Sequence, residues 1–236
     1  MDSFVEKFNV FDLFTMLIPG IIISTSFSIS LSYEYYDLWK SFGNEKYVGF
    51  FIVSYLFGVI YQEIGTIFDN LFMYRILYGG KPREMFLTKQ KHRKIFKDEL
   101  SYKDALQIRD YYAKFFNIKN INHMNKKNEK ALNSLIFSYC LNTCEKNNLT
   151  YKSDKMIVIS EMSRSLALGC ISNIVLNLCM IRKYSLHHKF YCIEIIILII
   201  LFFIFLCRKV RYEKYRIKIV LRTFLIHIKE HNVDNK

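Results

Sequence analysis

Proline and glycine are scarce in this chain, with 2 and 8 copies among 236 residues. That leaves little material for a turn-rich β fold and predicts long helices. Metal-ligand spacing is missing too. Of the six cysteines, Cys140, Cys144, Cys170, Cys179, Cys192 and Cys207, four lie in or beside apolar runs, where Cys behaves as a small hydrophobe. Cys140 and Cys144 are spaced as on a helix, but no Cys or His pair of zinc-ligand spacing lies nearby, and His123 stands alone. Neither a metal, nor a cofactor, nor a secreted disulfide scaffold is expected.

Catalytic signatures are absent as well. There is no His-Glu-x-x-His helix, and Gly79-Gly80-Lys81 lacks the upstream glycine of a phosphate loop. The reading is therefore a protein that is not an enzyme.

What the chain has in abundance is apolar sequence: 52% of it is hydrophobic and 17% aromatic, with a formal net charge of +13. The apolar residues gather into four runs, at 8–32, 47–68, 165–181 and 190–207. About 20 residues are needed to cross the hydrocarbon core, so the last two runs must borrow a turn from their flanks. The expected fold is all-α: a polytopic membrane protein with four transmembrane helices and a small cytoplasmic helical domain. Its parts are a first hairpin (1–74), the cytoplasmic domain (75–163), a second hairpin (164–207) and a basic C-terminal helix (208–236). The acidic start "MDSFVEK" predicts an uncleaved anchor rather than a signal peptide. Pro19-Gly20, in mid-run, should kink or loosen the first span.

Basic residues set the orientation. The first hairpin loop mixes Glu34, Asp37 and Glu45 with Lys40 and Lys46, whereas Arg75, Lys81, Arg83 and Lys89 follow span two and "RKVRYEKYRIK" follows span four. Both termini and the central segment are thus expected in the cytoplasm of a bacterium, with the chain in its inner membrane.

Segment 75–163 is too long for a bare loop. Ser101 with Asp104 reads as a capping box opening a helix to about Phe116. A second helix is expected over 128–146, with Leu132, Leu135, Ile136, Tyr139 and Cys140 on one face. A third should run from near Ser153 into span three. After span four, the apolar repeat at Tyr212, Tyr215, Ile219 and Ile226 predicts that the span continues as a long helix.

Within 81–100, Lys81, Arg83, Lys89, Lys91, Arg93 and Lys94 surround Phe86, Leu87, Ile95 and Phe96. Such a segment suits either an anionic lipid surface or a solvated domain face. Arg208, Lys209 and Arg211 are the corresponding headgroup candidates after span four. Basic charge without a reading motif gives no specific nucleic-acid binding.

The spans themselves carry polar groups. Gly58, Gln62, Gly65 and Asp69 fall on one face of span two; Ser165, Gly169, Asn173 and Asn177 form a matching stripe on span three. Small residues let helices approach and amides bond across the gap. The two stripes are expected to face each other or a sister subunit. Pairing of Glu63 or Asp69 with Arg164 would offset the cost of intramembrane charge; the sharper alternative is a ring of acids at a cation-selective mouth. Glu194, in span four, has Lys189, His187 and His188 nearby in sequence to compensate it.

In architecture, "FDLFTMLIPG", "YQEIG" and "SRSLAL" set in four spans with a helical insert resemble the small multipass effectors and membrane subunits of bacterial anti-phage defence systems. The resemblance implies self-association into a channel or membrane-perturbing effector, or a membrane anchor for a soluble cytoplasmic protein partner.

Overall fold

The computed structural model describes residues 13–41, 45–77, 81–87, 100–118, 126–183 and 188–233. Every regular element among them is helical. A π-helical turn, Leu13–Leu17, leads into α1 (Ile18–Ser41), and α2 (Glu45–Phe68) passes into a π-helical stretch, Asp69–Leu77. Then follow α3 (Pro82–Met85), α4 (Tyr102–Phe115), α5 (Lys126–Lys146), α6 (Tyr151–Lys183) and α7 (His188–Val233). Four helices are long and apolar enough to cross a membrane, over Leu13–Leu31, Tyr47–Leu71, Tyr151–Arg182 and Lys189–Glu230. The last two are longer than the apolar runs they contain, because both continue as helix beyond the hydrocarbon-length stretch.

Pro19 lies inside the helix that runs on from Leu13, directly after a widened π-helical turn, Leu13–Leu17. Such a turn is one of the distortions that accompany proline in a helix.

The chain divides into two compact units, Met1–Phe68 with Val158–Arg211 and Asp69–Ile157 with Tyr212–Lys236. In the first, Gly20 lies against the backbone carbonyl of Ser54 and Gly58 against that of Met16, so spans one and two touch backbone to backbone. Ile23, Tyr61 and Leu168 form the apolar centre of three spans, with Phe27 and Phe57 stacked beside it. Half of the apolar window of span three is buried (50%), against 11% for span four. Span three is therefore the central helix of the unit and span four the peripheral one.

The second unit packs its apolar side chains inward. Ser101 caps α4 by accepting the Asp104 N–H at 3.0 Å. Helices α4 and α5 both end in left-handed asparagines, Asn117 (φ 53°) and Asn148 (φ 55°). Ile118 N–H donates to Ala113 O and Leu149 N–H to Cys144 O, which closes each helix as a Schellman motif. Ile108, Ile136, Leu221 and Phe224 are almost fully buried, and Tyr111 and Tyr139 meet the Phe224 ring edge-on. Two expected faces shift. Leu135 is 59% exposed while Leu132, Ile136 and Cys140 are buried. Along the part of α7 in this unit the buried residues are Ile217, Val220, Leu221, Phe224 and Leu225; Tyr215 and Ile226 are exposed.

Candidate functional site: polar layers among the four spans

Where span two meets span three, the polar residues form a layer. Gln62 Nε2 donates to Glu161 Oε2 at 3.3 Å, and Arg164 Nη2 donates to the Gln62 carbonyl at 3.3 Å. Thr66 Oγ1 donates to the same carbonyl. Gly65 makes room for this arrangement: a Cβ there would stand 2.6 Å from Arg164 Nε. Arg164 thus lies over Gly65 and bonds the Gln62 main chain, while the Gln62 side chain bonds Glu161.

Glu63 behaves differently from the expected partner of Arg164. It is exposed, on a flank shared with exposed Ile60, Ile64 and Ile67, and among the described residues it makes no hydrogen bond or ion pair. The expected Glu63–Arg164 pair is not formed, because one residue of helical rotation carries Glu63 away from the face that Gln62 presents. Asp69 is buried and opens the π-helical stretch, in the second unit.

The two small-residue stripes do not simply face one another. Gly58 meets span one, Gly65 meets span three, and Gly169 meets Ile23 of span one, where a Cβ would stand 2.5 Å from Ile23 Cγ1. Crossing helices bring one face against different neighbours at different depths. Asn173 Nδ2 donates back to Gly169 O within its own helix, and Ser165 and Asn177 are fully buried.

A second polar group lies farther along the bundle. Ser30 Oγ contacts Glu194 Oε1 at 3.0 Å, so a serine of span one provides the contact expected from Lys189 and the histidine pair. Lys189 is exposed; His187 and the side chain of His188 lie outside the described residues. Ser30 and Glu161 escaped the sequence reading. The signal for Ser30 was its place in a run of five alternating serines, Ser24 to Ser32, of which Ser26 and Ser30 are one helical turn apart.

The headgroup candidates divide. Lys81 and Arg83 are exposed, but Phe86 and Leu87, which a segment lying on lipid would turn to the membrane, are buried at 0% and 1% exposure. Leu87 O accepts from Arg109 Nη1 at 3.1 Å. This part of 81–100 is consequently core, since its apolar side chains find a protein interior to fill. Lys89, Lys91, Arg93 and Lys94 lie outside the described residues. Arg208 and Arg211 are exposed, whereas Lys209 is 3% exposed and so withdrawn from a headgroup position; its carbonyl accepts from Ser160 Oγ at 3.4 Å.

In the second unit, Arg109 Nη1 and Glu129 Oε1 form a buried ion pair at 2.7 Å. Burial pushes the Cys140 thiol well up and the Cys144 thiol to about 11, which makes both poor nucleophiles at neutral pH. Among the described residues no group of three or more His, Cys, Asp or Glu side chains converges as a metal site. Comparison with protein-family models, with curated proteins and with solved structures gives no match.

Proposed function

We propose that the chain is a non-enzymatic inner-membrane protein of a bacterium that assembles with copies of itself into an ion channel or membrane-perturbing effector. Both termini and segment 75–163 lie in the cytoplasm in this reading, and the cytoplasmic helices control the assembly. A role in anti-phage defence belongs to the same proposal and rests on the architectural resemblance.

The observation that carries it is Glu63. A carboxylate on an open apolar flank of a span is costly, about 2.5–3.5 kcal/mol for a charge at the helix centre and less near the interface. A second copy seated on the Ile60–Ile64–Ile67 flank would remove Glu63 from lipid. Repeated around a closed ring, the same contact would bring one acid per subunit into a common zone, as cation pathways use them.

The test is to extract the full chain in mild detergent, measure the particle mass, and reconstitute it in liposomes. A homo-oligomer that leaks cations, and whose Glu63→Gln variant assembles but conducts at least about tenfold less, supports the channel. A monomer, or tight liposomes at any loading, rejects it.

The second reading is a membrane anchor for a soluble cytoplasmic partner. Phe115 and Phe116, 60% and 47% exposed at the end of α4, favour it, because aromatic side chains left open at a helix end suit a protein contact. A stoichiometric companion in the detergent extract would move the assignment there.

A further inference from the structure

Helix α7 does not end with the apolar run at 190–207 but continues unbroken to Val233. From Arg208 to Lys229 this extension carries eight lysines and arginines and a single acid, Glu213. Glu213 is turned inward, where the Tyr74 hydroxyl donates to its Oε1 at 2.9 Å. Ile217, Val220, Leu221 and Phe224 are buried on that same side. At about 100° per residue, Arg208, Arg211, Tyr215, Arg222, Ile226 and Lys229 fall within roughly 60° of one another on the opposite side. All six are exposed, Tyr215 at 41% and Ile226 at 57%. Lys218 lies at the margin of the stripe. The helix thus presents a basic face roughly 32 Å long, on which it places no acid of its own and one aromatic ring.

Lipid headgroups reach only the start of this face. In the membrane placement proposed above, Arg208 stands at the edge of the hydrocarbon, and Arg222 and Lys229 lie roughly 21 and 32 Å farther along the helix. The headgroup layer is about 5–8 Å thick and the screening length about 8 Å, so at a usual tilt of about 20° both residues stand beyond the bilayer's field. Their counterpart is another polyanion. Tyr215, one turn from Arg211 and two turns from Arg222, decides which. Carboxylates of an acidic protein gain nothing from the negative face of its ring. A duplex keeps its bases stacked on one another, whereas a single strand offers phosphates to the cations and an open base to the ring.

We propose that the outward face of α7, from Arg211 to Lys229, binds single-stranded nucleic acid, with its cations on phosphates and Tyr215 stacked on a base. Cations spaced along a straight helix engage a backbone rather than base edges, so this binding is sequence-independent and salt-dependent. It rests on the cytoplasmic placement of the second unit, and not on whether the assembly conducts.

The test is fluorescence anisotropy of a labelled thymidine strand of about 20 nucleotides, titrated with the full chain in neutral mild detergent. The expected dissociation constant is roughly 1–10 μM at about 50 mM NaCl, with a log–log salt slope of about −2 to −3 for three or four phosphate contacts. The double variant Arg222→Glu/Lys229→Glu should bind at least about tenfold more weakly. Tyr215→Ala should lose about fivefold or more, and Tyr215→Phe should bind like the native chain. Lys103→Glu/Lys127→Glu makes the same charge change at exposed positions of α4 and α5 and should leave binding intact. Loss of helical signal on heating verifies that each variant is folded. The proposal is overturned by a native chain that does not bind at about 100 μM, or by undiminished binding in the α7 variants. It is equally overturned by a matching loss in the Lys103/Lys127 pair, or by a duplex or polyglutamate that competes as well as the single strand. Because the assay needs no ion flux, a chain that leaves liposomes tight rejects the channel without touching this surface.

Discussion

The two units of this chain invert each other. In the second, Ile108, Ile136, Leu221 and Phe224 are inside and the charged side chains, apart from pairs such as Arg109–Glu129, are largely outside. In the first, large apolar residues such as Ile52, Leu56, Ile196, Ile200 and Phe203 are exposed, and the interior holds Gly20, Gly58, Ser54, Ser165, Asn173 and Asn177. The one pattern is what expulsion of apolar surface from water produces. The other is what a lipid solvent would favour: as apolar as leucine, it offers no reward for burying leucine, and close backbone approach and interhelical polar contacts hold the spans. The contrast also separates what each unit tolerates: the second depends on side-chain volume and a closed charge pair, the first on the absence of side chains at particular places.

The sharpest way to break that contrast is Arg109→Leu. It leaves Glu129 as an uncompensated buried charge and removes a donor from Leu87 O, at a cost of about 3–5 kcal/mol. Proteolysis of the full chain across a urea series should show the 100–150 region becoming susceptible at much lower urea, with the spans still protected. Equal loss in both regions would mean that the units do not unfold separately.

Gly58→Leu should damage the other unit by about 1–3 kcal/mol, since its side chain would meet the Met16 backbone. Gly49→Leu, where a Cβ meets nothing within 4 Å, is the control. Loss of helical signal on heating in detergent should begin earlier for the first variant and not for the second. Comparable melting of the two would show that close approach is not what holds span two to span one.

The smallest effect concerns thiols. Burial raises Cys144 from 9.0 to about 11, so the unfolded chain releases that proton at lower pH than the folded one. Its contribution is complete below about pH 9 and falls as pH rises toward 11. The native chain should therefore lose more stability than Cys144→Ala between about pH 8 and pH 11. In the folded protein at neutral pH, maleimide should label exposed Cys207 and spare Cys144.

Much of the helical inventory is legible in the linear sequence. Long apolar runs with few Pro and Gly yield helices of spanning length, and Ser101 begins α4 through a local hydrogen bond that its own neighbourhood supplies. The left-handed Asn117 and Asn148 were less visible, because asparagine also serves in caps and turns of other kinds. At the polar layers, spacing located Gln62, Gly65 and Arg164 but said nothing of Glu161 or Ser30, whose partners come from other helices. Hydrophobic pattern likewise could not place Phe86 and Leu87, since a buried core and a lipid surface accept the same side chains.

The sequence by itself determined that this is an all-helical chain with four stretches apolar enough to cross a membrane, because backbone bonding within a helix and run length are local properties. Only the tertiary structure decided that Glu63 stands outward while Gln62 stands inward, that Lys209 is buried while Arg208 and Arg211 are exposed, and that Ser30 meets Glu194. Those facts depend on how far each helix extends and which neighbour it crosses, and no local interaction specifies either.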